Sequence, residues 1–364
     1  MFPTKHNEIL NLIDQIDPIR YAQTRNYIDG AVTRLSPYIS RGILSTKQIA
    51  QAVLSKGYQP YQIDSFLKEL TWRDYFQQVW IARKDEIDQD LKQQQEPVVN
   101  YQIASAILNY QTGIHAIDQA IEELYRTGYM HNHLRMYVAG LSCNLAQNHW
   151  RVPAKWMYYH LLDADWASNA LSWQWVAGAF SSKKYYANQE NINRYCYTHQ
   201  QGTFLDVSYD EIGSMPIPEI LQSAENLTLK TYLPSFPELV LDKNLPCCIY
   251  NFYNLDVNWS MDFDANQILL LEPSFFDRYP VSDKTIDFVL DLATNIPNIQ
   301  VFVGEFNTLK KLTGSSEIHY KEHPTNVHYQ GTMHTRDWIF DEVKGYYPSF
   351  FSYWKKCEKY LKNY

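Results

Sequence analysis

LLDADWASNALSWQW, residues 161–175, is the stretch on which the reading of this chain turns. Asp163 and Asp165 stand two residues apart, Asn169 follows, and Trp173 and Trp175 flank Gln174. Aspartate and asparagine resist burial unless they are paired or hydrogen-bonded, and a buried indole needs an acceptor for its N–H. A core has no use for that combination, which suits a polar, aromatic pocket for a large planar ligand. Upstream, TGYMHNHLRM (residues 127–136) and NHW (residues 148–150) extend the same character.

The rest of the composition frames this stretch. With 364 residues, 45% of them hydrophobic and 20% charged, the chain is globular and long enough for one large domain or two ordinary ones. Its 10 Trp, 29 Tyr and 16 Phe are the outlier, and core packing accounts for most of them. The net charge of −8 is uneven: residues 1–204 carry 19 basic against 18 acidic side chains, the remainder 13 against 22. Neither part advertises the basic face of tight non-specific nucleic-acid binding. Cys143, Cys196, Cys247, Cys248 and Cys357 show no CxxC spacing, so no disulfide framework, iron–sulfur cluster or zinc site is expected, and no residue is assigned to a metal. The opening MFPTKHNEIL lacks the pattern of a signal peptide and no apolar run reaches the length of a membrane span. The expectation is a cytoplasmic protein with no membrane partner.

Apolar residues recur at three- and four-residue spacing in NEILNLIDQI (7–16), ILSTKQIAQAVL (43–54), DSFLKELTWRDYFQQVWIARK (64–84) and GIHAIDQAIEELYRTG (113–128), which predicts helices. Asp64 or Ser65 is the expected N-cap of the third. DEIDQDLKQQQEP (85–97) is expected to be a solvated helix end and loop. After about residue 205 the character changes. CCIYNFYNL (247–255), QILLLEP (267–273), IQVFVGEF (299–306) and EIHYKEH (317–323) predict short strands, with a helix over IDFVLDLATN (286–295), hence a small parallel α/β layer. The tail from Asp337 reads as amphipathic helix. No strand is followed by a Gly-rich phosphate fingerprint. The expected division is a helical domain over 1–204 and a smaller α/β domain with a C-terminal helix over 205–364.

Several separated segments, in order, resemble the FAD-binding domain of the photolyase/cryptochrome family over roughly residues 15–190. Tyr21 and Arg25 precede VTRLSPYISRGILS (32–45), similar to the hydroxyl-rich motif that holds the flavin diphosphate; Thr33, Leu35 and Ser36 match it and Val32 departs from it. FLKELTWRDYF (66–76) places Arg73 near the cofactor by resemblance, with Glu69 and Trp72 lining the cleft for a damaged pyrimidine dimer. Taken by themselves, Glu69 and Arg73 are an ordinary i,i+4 surface pair beside a core Trp. In TGYMHNHLRM, Asn132 and Met136 match the branch that repairs cyclobutane pyrimidine dimers, and Arg135 matches an arginine beside the isoalloxazine ring. His133 stands where that branch carries an arginine; its alternative reading is an exposed helical residue.

The resemblance also makes Asp163 and Asp165 the paired aspartates of the flavin and its ribose, and Asn169 the residue facing flavin N5. Asp163 is in addition a candidate partner for Arg135 on charge alone. Trp173 and Trp150 match the first two members of the family's electron-transfer chain, Tyr101 takes the third position, and Trp175 offers a stacking surface to the lesion. The implied fold is an α-helical FAD-binding domain followed by a smaller α/β domain with a short parallel sheet, similar to the family's antenna domain in rearranged order. The implied cofactor is FAD, with the antenna chromophore left open. The implied function is blue-light-driven repair of damaged DNA by electron transfer from reduced flavin. The alternative is a cryptochrome-like photoreceptor without repair activity, which would act through a signalling partner.

Overall fold

The computed structural model describes residues 2–259, 264–314 and 317–363. The chain forms two compact units, neither of them one continuous stretch. A mixed unit is built from Met1–Ile19, Thr33–Ala82 and Lys230–Tyr364, and a helical unit from Arg20–Val32 and Arg83–Leu229. This grouping by packing differs from the division at 204/205 expected from composition.

In the helical unit the principal helices are His115–Thr127, Asn132–Gly140, Arg151–His160, Trp166–Ala177 and Gln189–Cys196. The Trp166–Ala177 helix is its centre: eight of its side chains from Trp166 to Val176 are buried on several faces, as befits a helix enclosed by others. Two short strands, β1 (Ile103–Ala104) and β2 (Ala224–Glu225), pair antiparallel. The His115–Thr127 helix ends on Gly128, at φ +74°, with its N–H on the Leu124 carbonyl. A Cβ at Gly128 would lie 2.6 Å from Leu162 Cγ, and Leu162 N–H donates to the Gly128 carbonyl at 2.9 Å. Glycine at this left-handed turn therefore lets the TG segment close directly onto the LLDAD segment.

In the mixed unit, strands β3 (Cys247–Tyr250), β4 (Asn266–Leu271), β5 (Gln300–Val303), β6 (Ile318–Lys321) and β7 (Thr332–His334) form one parallel sheet in the order β5-β4-β3-β6-β7. All four strands expected from the sequence are present, and β7 adds a fifth. Ile249 lies opposite Ile268 on one side and Tyr320 on the other. Near-continuous apolar runs such as CCIY suit a parallel sheet covered on both faces. Cys247, Ile249, Ile268, Leu270, Phe306 and Tyr329 are among the side chains of one core cluster beside it.

Three expectations change. The Asp64–Arg83 helix is entered through a 3-10 turn, Pro60–Ile63, capped by Gln59 and Gln62, so neither Asp64 nor Ser65 stands outside the helix as its N-cap. The tail is helical only over Phe350–Cys357, capped by Ser349 after Pro348, and continues as a 3-10 helix over Glu358–Asn363. The polar segment 85–97 is not simply solvated: Ile87, Asp88 and Gln95 are buried.

Candidate functional site

The two most informative motifs meet inside the helical unit. Arg135 projects from the Asn132–Gly140 helix, where its Nε donates to the Met130 carbonyl at 2.9 Å and its Nη1 to Asp163 Oδ2 at 2.9 Å and Oδ1 at 3.3 Å. This is the ion pair the sequence suggested. Asp163 is 7% exposed, so the guanidinium is what allows a carboxylate to be buried there. Asp165, also buried, sits at the N-cap of the Trp166–Ala177 helix and accepts from Ser168 Oγ at 2.8 Å. One turn on, Asn169 donates its side-chain amide to the Ala154 carbonyl at 2.7 Å, which fixes the orientation of the amide plane. Asn132 is exposed at the first position of its helix, with Met136 half-buried one turn later. Tyr21, in the same unit, is half-buried.

The aromatic residues form a graded series. Trp150 and Trp173 are buried, Trp175 is 39% exposed and 6.1 Å from Tyr185, and Tyr101 is 66% exposed. Tyr101 stacks on His149 with centroids 4.8 Å apart, His149 lies 5.7 Å from Trp150, and Trp150 lies 6.4 Å from Trp166. Both inner indoles end on carboxylates: Trp150 Nε1 donates to Asp90 Oδ1 at 2.6 Å and Trp166 Nε1 to Asp88 Oδ1 at 2.8 Å. Asp90 also meets His149 Nε2 at 3.2 Å and accepts from the Gln95 amide. Burial pushes the Asp90 carboxyl up, but the bonds from His149, Gln95 and Trp150 outweigh it and hold the group below the usual carboxylate range. Asp88, Asp90 and His149 were missed by the sequence reading. The available signal was the demand of a buried indole for an acceptor, set beside a stretch, residues 85–90, with four aspartic or glutamic acids around one Ile.

His133 is not the exposed helical residue of its alternative reading. It is buried, with Nδ1 2.8 Å from the Asn26 carbonyl and Nε2 3.3 Å from Tyr185 Oη, among the rings of Tyr137 and Tyr195. Burial lowers its pKa, against the opposing pull of the Asn26 carbonyl. It is therefore a neutral packing residue at pH 7, neither exposed nor a substitute for a fixed cation.

In the mixed unit, Leu35 is buried and Thr33 and Ser36 are half-buried. Thr33 Oγ1 accepts from Leu35 N–H at 3.4 Å, and Ser36 opens the short helix Ser36–Ser40. Arg73 Nη2 donates to Ser40 Oγ at 2.7 Å. Glu69 and Trp72 lie half-buried on the same helix. One face of Trp72 is covered by Phe350, with centroids 3.9 Å apart and planes at 11°.

In the helical unit the residues present fit a flavin: two buried acids, one carrying its own guanidinium, an amide of fixed orientation, and indoles buried beside them. Comparison with known proteins bears on the same region. Residues 66–231 match the family described as the FAD binding domain of DNA photolyase. The deoxyribodipyrimidine photo-lyase of Alkalihalophilus pseudofirmus is 27% identical over 188 residues, which cover 50% of this chain and 39% of that protein. That of Streptomyces griseus is 32% identical over 149 residues, 41% of this chain and 32% of the relative. The solved Synechocystis sp. PCC6803 cryptochrome aligns at 25% identity and a TM-score of 0.44, covering 61% of this chain and 48% of that one. The chain thus spans about a third to two fifths of the length of these two curated relatives. No helix among the described residues is long and apolar enough to cross a membrane.

Proposed function

Because the chain belongs to the photolyase/cryptochrome family and carries that family's FAD-binding domain, we propose that it is a light-driven flavoenzyme that splits cyclobutane pyrimidine dimers in DNA. The observation that carries this reading is the joining of Arg135 to Asp163, on a helix that also presents Asn132 and Met136 within about one turn. Arg135, given to the cofactor, and Asn132 and Met136, given to the lesion, then share one helix of the helical unit.

Bound FAD, reduced and excited by blue light, supplies the electron that opens the dimer. The protein's part is positioning. Arg135, Asp163, Asp165 and Asn169 hold the cofactor, and Tyr21, Thr33, Leu35, Ser36 and Arg73 are given to it by the same family likeness. Asn132, Met136 and Glu69 orient the lesion, and Trp72 and Trp175 offer it flat apolar surfaces. Extruding a base costs a few kcal/mol and least where pairing is already damaged, so the lesion itself favours entry. Electron supply runs through Trp173, Trp150 and Tyr101. An electron leaving Trp150 leaves positive charge on the indole, and the Asp90 carboxylate at its N–H stabilises that charge. No side chain is assigned to an antenna chromophore.

The test is a visible spectrum of the purified chain after reconstitution with FAD, followed by blue-light incubation with DNA carrying a defined cyclobutane dimer. Dimer splitting that depends on light and flavin is the expected result. A chain that takes up no flavin defeats the reading outright.

One observation favours a second reading, a photoreceptor without repair activity. Phe350 occupies a face of Trp72, one of the two residues that would stack on the lesion. Flavin uptake without dimer splitting would select this reading.

A further inference from the structure

Tyr185 is anchored to the helix that carries Trp175. Its N–H donates to the Val176 carbonyl at 3.0 Å, and Asn144 Nδ2 donates to both the Tyr185 carbonyl at 2.8 Å and the Val176 carbonyl at 3.0 Å. The half-buried phenol is thereby held beside the Trp175 indole, with centroids 6.1 Å apart and planes at 38°. Its hydroxyl lies 3.3 Å from His133 Nε2, and all of these residues belong to the helical unit.

The tautomer of His133 follows from its other nitrogen. Nδ1 lies 2.8 Å from the Asn26 carbonyl, which can only accept, so the ring proton sits on Nδ1. Burial keeps the imidazole neutral, and Nε2 is left with a bare lone pair towards the Tyr185 hydroxyl. The phenol is in turn protonated: burial, then Tyr209 and Tyr195, raise it above its ordinary range. At 3.3 Å the bond is long, and it tightens once the phenol becomes acidic. The pocket also suits the imidazolium that proton transfer creates. Burial and Arg25 oppose that charge, but the Asn26 carbonyl favours it. The rings of Tyr137 and Tyr195 lie 4.5 and 4.7 Å from the imidazole, within the range of cation–π attraction. The arginine that the family likeness expects at this position has no acceptor lone pair and could not take a proton.

We propose that Tyr185 and His133 form a redox-active pair that takes a hole from Trp175 and holds it as a phenoxyl radical. One electron passes from the Tyr185 ring to the oxidised Trp175 indole, which returns to its neutral form. In the same step the phenol O–H bond breaks and an N–H bond forms at His133 Nε2, leaving a neutral phenoxyl beside an imidazolium. Phenol yields its electron more readily than indole when its proton leaves with it, so the base decides the direction. Reduction of the phenoxyl returns the proton along the same bond. The oxidant of Trp175 is a one-electron acceptor strong enough to oxidise indole, and under the proposed function it is light-excited oxidised flavin. That source rests on the flavin reading, whereas the pair itself does not. The route shares no residue with Trp173, Trp150 and Tyr101, the series given to electron supply.

The experiment places an oxidant beside Trp175 without FAD. Ser172 is exposed and lies three residues before Trp175 on the same helix, and the five native cysteines are buried. Ser172→Cys in the full chain therefore takes a thiol-reactive ruthenium polypyridyl photo-oxidant selectively. After a flash with an electron-accepting quencher, transient absorption and electron paramagnetic resonance distinguish indole from phenoxyl radicals. The expected result is an indole radical that gives way to phenoxyl in the labelled parent and persists in Tyr185→Phe. His133→Phe removes the base and should slow phenoxyl formation by about a hundredfold or more. His133→Gln keeps a hydrogen-bond acceptor without a basic nitrogen; it should slow the step likewise, and it carries the test if His133→Phe melts early. The proposal is overturned if no phenoxyl forms in the labelled parent, if its yield is unchanged in Tyr185→Phe, or if its rate is unchanged in the folded His133 variants. A chain that takes up no FAD leaves these measurements in place, so failure of the pair and failure of the flavin reading are told apart.

Discussion

The indole N–H of Trp150 donates to Asp90 Oδ1 at 2.6 Å, and both groups come from segments that composition alone assigns to opposite environments. Since the folded Asp90 carboxyl lies below its unfolded value of 3.8, it contributes stability above that pH and loses it as the pH falls through the lowered folded value. Asp90→Asn keeps an acceptor but removes the charge, and is expected to cost about 1–3 kcal/mol at neutral pH. The variant should also lose less stability than the parent on acidification below about pH 4. Urea titrations across that range measure both.

Asp74 titrates in the opposite sense. Burial raises its carboxyl to about 6, against the lowering influence of Ile339, Thr46, Arg336 and Arg73. A folded value above the unfolded one means that the native state binds the extra proton. Stability is therefore highest below about pH 4 on this group's account and declines as the pH rises to about 6. The decline is on the order of 3 kcal/mol. Asp74→Asn should flatten that part of the stability–pH curve, and a curve that keeps its slope in the variant would locate the titration elsewhere.

Phe350 is 2% exposed and packs on Trp72 as well as on the edge of Tyr75. Phe350→Ala should lower stability by about 3–5 kcal/mol, the usual range for emptying a core aromatic site. Phe350→Leu should retain most of that stability while uncovering the Trp72 face. Under the repair reading the Leu variant binds dimer-containing DNA at least as well as the parent, measured by fluorescence anisotropy.

Arg135 holds the buried Asp163. Removing the guanidinium in Arg135→Gln leaves an uncompensated carboxylate and is expected to cost roughly 3 kcal/mol. Under the flavin reading it also lowers the FAD-to-protein ratio after reconstitution. The double variant with Asp163→Asn should recover stability without recovering FAD, which separates the structural role of the pair from cofactor binding.

Tyr101 and Trp150 lie on one aromatic series through His149. If electrons travel along it, Trp150→Phe suppresses light-driven bleaching of the oxidised flavin in the presence of a thiol. Tyr101→Phe slows it less, because an exposed terminal position is more easily bypassed. Equal bleaching rates in both variants and the parent would remove this series from electron supply.

Much of the fold was legible because it rests on periodicity. Spacing of three and four placed the long helices, and short apolar runs bounded by turn residues placed four of the five parallel strands. β7 escaped because TMH is a three-residue edge strand with two exposed side chains, too short and too polar to register as apolar. The tail was overread as one long helix because its apolar spacing runs through Pro348, where a helix cannot continue unbroken.

The sequence by itself determined which residue types are available and in what order. It set out the Asp–Asp–Asn run before the tryptophans, an arginine able to neutralise one aspartate, and the alternation of strand and helix near the end. The tertiary structure alone decided who partners whom over long separations. It set Asp88 and Asp90 under two indoles, turned His133 inward, laid Phe350 on Trp72, and opened a charged crevice between β3 and β6. The physical reason is that periodicity reports which face of an element is apolar, whereas a buried polar group is satisfied by whichever donor or acceptor packing brings within about 3 Å.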